Sequence, residues 1–451
     1  MTQWLPAIFR RRPALHERLP DKMRRRMRTN IWCRLGLLSL LLVAPAAGGV
    51  PQGEEEGSWM SHGQKAVDEY KAKNYPAFLR HVERAVQAGP RRHPWLMYQL
   101  ARAYSLNGRT AEASRLLGEL ADMRIGVDAA GNEDFSPLRG APGWGELSRK
   151  IEAARAPVVR SRATFVIPEP DLLPEGIAYD PRRRTFYLGS IYKSKIIALD
   201  GAGRRRDFKA SGQDGLASVL GMKVDAQRRL LWVCNNTRDG AAFVHKYALD
   251  SGELIKKYAL DERPARRQFN DIALGRRGDA YVTDSLGAAV YEIPSGADEL
   301  RPLVRLEPGV YPNGVALSGD ERRLYVATAA GISLVDIGAK TVAELKRGEN
   351  VVTSAADGLY LYRGSLVAVQ NANPSPERVV RLLLSADGRK AVRAEVLESN
   401  RPDYAVPTTG VVVGDELFYV ANTQIDRMGA GGQLQPGAGL RDLILLRLKL
   451  N

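Results

Sequence analysis

The chain has 451 residues, an ordinary apolar share of 44 % and a formal net charge of +15. That length exceeds one ordinary domain and predicts two or more, each able to bury a core. Ten Lys/Arg against Glu17 and Asp21 put +8 of the charge into residues 1–34 and leave +7 for the rest. So thin an excess excludes the clustered basic footprint of a nucleic-acid-binding domain.

In chain order, the basic run is followed by an apolar one, Leu35 to Val43, and then by Ala44-Pro45-Ala46. A basic region, a short apolar region and a small-residue cleavage site define a secretory signal. Residues 1–47 are therefore read as a basic leader and signal peptide, with Met23 and Met27 as alternative starts. The protein is expected to be exported, to the periplasm or beyond the cell. The apolar run is short for a membrane span, so a membrane enters only if the leader stays uncleaved. Cleavage removes Cys33 and leaves Cys234 without a partner, so no internal disulfide is expected. Within Leu230-Leu231-Trp232-Val233-Cys234 this thiol reads as a small buried hydrophobe rather than a nucleophile.

Residues 48–58 read as a solvated linker. Helical periodicity then predicts two helix pairs, over 60–89 and 94–124, and a further helix over 143–155. Tyr70 and Tyr104 are one tetratricopeptide period apart, as are Lys73-Asn74-Tyr75 and Asn107-Gly108-Arg109. With Leu100-Ala101-Arg102-Ala103-Tyr104 they make residues 59–156 resemble a small TPR-like helical domain. Such a module serves either as a groove for a protein partner or as a cap on its neighbour.

From Arg162 onward the helical period gives way to short β-rich runs. One unit recurs: a Gly or Asp, an apolar run, a turn and a second strand. Its instances begin at Glu175-Gly176, Leu220-Gly221, Asn270-Asp271, Asn313-Gly314, Asp357-Gly358 and Thr409-Gly410. The mean period is about 47 residues, the size of one four-stranded propeller blade. Residues 162–451 are thus expected to form an all-β six-bladed β-propeller, which with the helical domain makes an α+β multidomain chain. The strand Ala163 to Ile167 has no blade of its own and is expected to complete blade six beside Leu443 to Leu450, which removes two exposed edges.

The residue before each Gly/Asp opens an innermost strand, so Glu175, Leu220, Asn270, Asn313, Asp357 and Thr409 should ring one mouth of the channel. Four of them carry carboxylate or amide oxygens, the donors a hard divalent cation takes. Without a cation the two acids would repel each other. Second strands end at the same mouth in Ser190, Asn235-Asn236, Asp284-Ser285, Gln370-Asn371 and Asn422-Thr423. These line a substrate cup or merely make turns. Only five His occur, and His245 alone lies in the β region, where it reads as an exposed strand residue. A multi-His zinc site and a Ser-His-Asp triad are not expected.

Pro174-Glu175-Gly176, Phe269-Asn270-Asp271, Pro312-Asn313-Gly314 and Asp357-Gly358, in this order, resemble the SMP-30/gluconolactonase/LRE-like (regucalcin-like) family. The resemblance implies a divalent metal, Ca²⁺ first and Zn²⁺, Mn²⁺ or Mg²⁺ otherwise, on Glu175, Asn313 and Asp357. It places Asn270 beside the metal and against substrate, and gives Asp357 the role of catalytic base. Gln268 stands where sugar lactonases of the family often carry Arg, which removes a charged fork. Gln268, Asn371 and Asn422 join Asn270 as candidate substrate contacts. The activity implied is that of an exported, metal-dependent lactonase or esterase with a small lactone or ester as substrate. The alternative is a non-catalytic scaffold with a structural cation.

Overall fold

The computed structural model describes residues 57–260, 266–371, 374, 376–429 and 431–451. The expected leader, its cleavage site and most of the linker lie outside them.

Five α-helices come first: α1 (Trp59–Lys71), α2 (Tyr75–Ala88), α3 (Pro94–Leu106), α4 (Thr110–Asp122) and α5 (Trp144–Arg155). Ser58 and Asn74 cap α1 and α2 by accepting from Ser61 N and Ala77 N, which satisfies amides that no helical carbonyl can reach. Their shared core holds Phe78, Val82, Ala101, Leu117 and Leu120. A 3₁₀ turn at Glu133–Leu138 lies against the inner faces of α1 and α3. There Asp134 receives Arg102 at 2.7 Å and Tyr70, Ser105 donates to the Asp134 carbonyl, and Asn132 meets Tyr98.

All strands follow, beginning with β1 (Arg162–Ile167). Sheet one is β2 (Pro174–Asp180), β3 (Thr185–Ser190), β4 (Ile196–Leu199) and β5 (Arg205–Lys209). Sheet two is β6 (Ser218–Asp225), β7 (Leu230–Asn236), β8 (Ala242–Ala248) and β9 (Leu254–Tyr258). Sheet three is β10 (Phe269–Leu274), β11 (Ala280–Asp284), β12 (Ala289–Ile293) and β13 (Arg301–Arg305). Sheet four is β14 (Val315–Leu317), β15 (Arg323–Ala327), β16 (Ile332–Asp336) and β17 (Thr341–Glu344). A two-residue strand, β18 (Lys346–Arg347), runs parallel to the outer edge of sheet five, which is β19 (Ala356–Tyr362), β20 (Ser365–Gln370), β21 (Arg378–Leu384) and β22 (Lys390–Ser399). Sheet six is β23 (Gly410–Val413), β24 (Glu416–Val420) and β25 (Leu443–Lys449), with β1 as its outermost strand.

The fold is a six-bladed β-propeller. β1 closes the ring by pairing antiparallel with β25, Ile167 opposite Leu443. The inner strands β2, β6, β10, β14, β19 and β23 neighbour one another in an unbroken circle. Their approach explains the recurring glycine. A Cβ at Gly176 would collide with the Leu220 carbonyl oxygen of the next blade, one at Gly221 with that of Asn270, and one at Gly314 with that of Asp357. Asp271, the single non-glycine among the six, instead accepts the Val315 amide of blade four at 3.2 Å. His245 departs from expectation: it is fully buried on β8, between blades one and two, with Nδ1 against the Tyr247 hydroxyl at 2.9 Å. The expectation of exposure fails because both faces of a blade are covered by its neighbours. Cys234 is buried, and burial pushes its thiol well up.

The helical domain rests on blades four and five. His93 Nε2 donates to Ala329 O at 3.0 Å, Arg92 reaches Asn350, Arg378 reaches the Met123 and Arg124 carbonyls, and Asn400 reaches Arg155 O. Val352, just ahead of β19, is part of the helical core. Ala329 follows the end of β15, and Val352 precedes the start of an inner strand. The helices therefore sit at the mouth where inner strands begin.

Two outcomes follow from this packing. Gly176→Ala should cost about 1–3 kcal/mol in urea unfolding, because the obstacle is backbone and cannot turn away; an unchanged midpoint would refute the close approach. His93 is held down at about 4 by burial first, with the Arg347 charge adding to it. An unfolded His binds its proton from about 6.5, so stability should fall as pH drops from there towards 4, by up to roughly 3 kcal/mol for this group. His245 is held equally low by burial and Lys257. His93→Gln keeps a donor and does not titrate, so it should flatten about half of that limb in pH-dependent unfolding.

Candidate cation site at the channel mouth

The ring residues do not follow the pleat. Between β2 and β3 the register shifts across Pro174/Gly176, between β10 and β11 across Phe269/Ile272, and between β19 and β20 across Ala356/Leu359. Glu175, Asn270 and Asp357 thus sit in β-bulges, which re-aim a side chain off its sheet face. Leu220 occupies the same kind of shift in blade two, and Asn313 lies just before β14.

Glu175, Asn270, Asn313 and Asp357 are all half-buried, whereas Leu220 is buried. Asp357 is the hub. Asn371 Nδ2 donates to its Oδ2 at 2.7 Å, and the Asn313 amide acts on it as well. Burial drives Asp357 up to about 6, against the pull of these two amides, and the Asp271 charge raises it further. Glu175 is raised well above the carboxylate range by burial and then by the charge of Asp357. No lysine or arginine among the described residues offsets either acid. Thr408 lowers Glu175 slightly, yet its buried hydroxyl closes no hydrogen bond of normal geometry. Asn270 donates to Ser285 Oγ at 3.0 Å, and Ser285 in turn donates to the carbonyl of Pro312, beside Asn313.

Three residues along the inner strands from the ring, side chains of facing blades come together. Lys223 of blade two pairs with Asp271 at 3.2 Å and lies 5.6 Å from the ring of Tyr360 in blade five. Tyr360 is fixed by the Gly410 amide and by Thr409. Groups from opposite blades thus approach each other across the axis.

Most second-strand ends are staples. Asn236 grips both the N–H and the C=O of Phe269, Asn235 holds Ala217 N and Gly215 O, and Asp284 accepts from Gln268 N and Gly287 N. Ser190 bonds Leu172 O, and Thr423 bonds Val406 O. Asn422 is buried with its amide on Asp442 O and Ile444 N, which is turn chemistry rather than a cup wall. Gln268 is buried too, and its neighbour Arg267 is committed to Asp284 and Tyr291. Of the candidate substrate contacts only Asn270 and Asn371 stand beside the acids. Thr408, Lys223 and Tyr360 were not singled out from sequence. The last two are three residues beyond Leu220 and Asp357, a repeat of phase that marks them.

The donor set suits a divalent cation. Two acids without a counter-charge, two amides with acceptor oxygens and a half-open cup combine the charge and the hard donors such an ion takes. Described this way, the molecule is a six-bladed propeller with an acid-and-amide cup on its axis.

Residues 173–359 match the model of the SMP-30/Gluconolactonase/LRE-like region. The family is one of lactonase-type propellers that bind a divalent metal. A search of curated proteins gave no match. Among solved structures, a gluconolactonase from Xanthomonas campestris is similar at 18 % identity over 64 % of this chain and 95 % of its own, with a TM-score of 0.43. A luciferin-regenerating enzyme is similar at 14 % identity over 65 % and 95 %, TM-score 0.45. Virginiamycin B lyase from Staphylococcus aureus is similar at 17 % identity over 58 % and 82 %, TM-score 0.43.

The sign of the acid pair's pH response follows from its raised values. An acid held above its unfolded value binds a proton more readily in the fold, so cation-free stability should fall as pH rises from about 4 through 6. A cation takes the ionised form, so added Ca²⁺ should restore stability, and more so at pH 8 than at pH 5. Asp357→Asn should remove the Asp357 share of the pH response, leaving the burial-driven share of Glu175, and weaken Ca²⁺ by at least ~10-fold in calorimetric titration.

Proposed function

We propose that this protein is a divalent-cation-dependent hydrolase of the lactonase or esterase type, exported from the cytoplasm. The observation that carries the proposal is the uncompensated pair Glu175–Asp357, half-buried at the channel mouth. Glu175, Asn313 and Asp357 would hold the ion, with Asn270 beside it, and Ca²⁺ suits their all-oxygen chemistry. Bound there, the cation supplies Lewis-acid polarisation of a lactone or ester carbonyl.

The protein's own groups do the rest. Asp357, raised to about 6, is matched to proton abstraction from water near neutral pH. Asn371 donates to its Oδ2 and so holds the carboxylate in place. Asn270, anchored on Ser285, orients a substrate hydroxyl or carbonyl beside the ion. A scaffold role through the helical domain is disfavoured, because Asn132 and Asp134 occupy the inner helix faces.

Purified protein should hydrolyse members of a lactone and aryl-ester panel when supplied with Ca²⁺, Mn²⁺, Zn²⁺ or Mg²⁺. Asp357→Asn should reduce kcat at least ~100-fold with the fold intact by circular dichroism. Hydrolysis no faster than buffer with every metal, together with an inert Asp357→Asn change, would end the proposal.

A further inference from the structure

Blade five differs from the others in how its site-bearing end is held. Asp357 opens β19 and Asn371 follows β20, so the two close one end of a hairpin, with Asn371 N bonded to Ala355 O at 3.1 Å. Gln370, between them and fully buried, donates to the carbonyls of Val352 and Ser354 at 3.1 and 2.8 Å. It thereby fixes the segment that leads into Asp357. Its own amide is oriented by Arg378, whose Nε donates to Gln370 Oε1 at 2.7 Å.

Arg378 is 3 % exposed and has no carboxylate partner among the described residues. Its remaining hydrogen bonds leave the propeller. Nη1 donates to Met123 O at 3.4 Å and to Arg124 O at 3.0 Å, carbonyls just past the end of α4. The last carbonyls of a helix are unpaired and carry the negative end of its dipole, which is where a cation belongs. A guanidinium presents several donors in a rigid fork and can bridge two such groups at once. Five residues before Asp357, Val352 is buried in the helical core itself. One continuous set of contacts thus runs from α4 through Arg378 and Gln370 to Asn371 and Asp357.

We propose that the helical domain is a working part of the cation site, and that Arg378 is the positioning residue through which it holds Asp357 and Asn371 in place. The inference rests on the cation reading of the cup for its effect on binding, and on geometry alone for its effect on the hairpin. Partners that orient a metal ligand from behind commonly change affinity 10–100-fold when removed. The helices are then neither a passive cap nor a free docking module: they set the distance between the acid and its amide.

The test uses the full chain with three variants: Arg378→Met, Arg378→Lys, and Arg381→Met as control. Arg381 lies on the same strand but bonds Ser365 and Leu450 at the far end of the blade. Hydrogen exchange should be about 10-fold faster at the Gly358 and Asn371 amides in Arg378→Met, intermediate in Arg378→Lys and unchanged in Arg381→Met. Calorimetric Ca²⁺ affinity should fall at least ~10-fold in Arg378→Met, be partly rescued by lysine, and hold in Arg381→Met. Equal exchange in Arg378→Met and the parent chain, or an equal effect from Arg381→Met, overturns the proposal. Should the parent chain bind no Ca²⁺, the cation reading fails on its own, and the exchange experiment still decides whether Arg378 positions the hairpin.

Discussion

Six inner strands must approach so closely around one axis that most of them have no room for a Cβ at the point of contact. Everything else in the propeller follows from that constraint. Glycine at 176, 221 and 314 lets each strand lie against the next blade's carbonyl, and the residue just before it is displaced into a bulge. The bulge turns that residue's side chain toward the axis. The same crowding that closes the ring therefore builds the cup, and acids far apart in sequence come to face each other because the backbone leaves them no other direction.

Two carboxylates in such a place are an electrostatic liability. Burial raises both, the Asp357 charge raises Glu175 further, and no basic side chain among the described residues relieves them. The one lysine nearby, Lys223, is bound to Asp271. A protein gains nothing in stability from this arrangement, which is why the cup is best understood as a place for a positive ion rather than as a structural pair.

The periodic part of this architecture was open to inspection in the sequence. The Gly/Asp repeat, its 47-residue spacing and the stray strand at residues 163–167 encode blade count and closure, because each blade must satisfy the same contact. The four ring residues share its phase and were visible for that reason. What lay hidden is aperiodic. His245 was misjudged because its strand, read as an outer one, is covered on both faces by neighbouring blades. Asn422 and the other strand ends looked like a wall, but polar side chains at turns are as readily staples for neighbouring amides. The chain from α4 to Asp357 joins residues some 250 apart with no repeat to reveal it, and only packing brings Arg378 onto a helix end.

The clasp between β1 and β25 has a consequence for how the molecule is made. Those two strands are separated by nearly the whole propeller, so the circle stays open until the final strand has left the ribosome. Until then β1 and β24 both present bare edges, and the blades already formed can only wait. Such long-range closure makes for slow maturation and a window in which intermolecular pairing competes. The helices, complete early and docked on blades four and five, would have nothing to rest on until more than two-thirds of the chain had been synthesised.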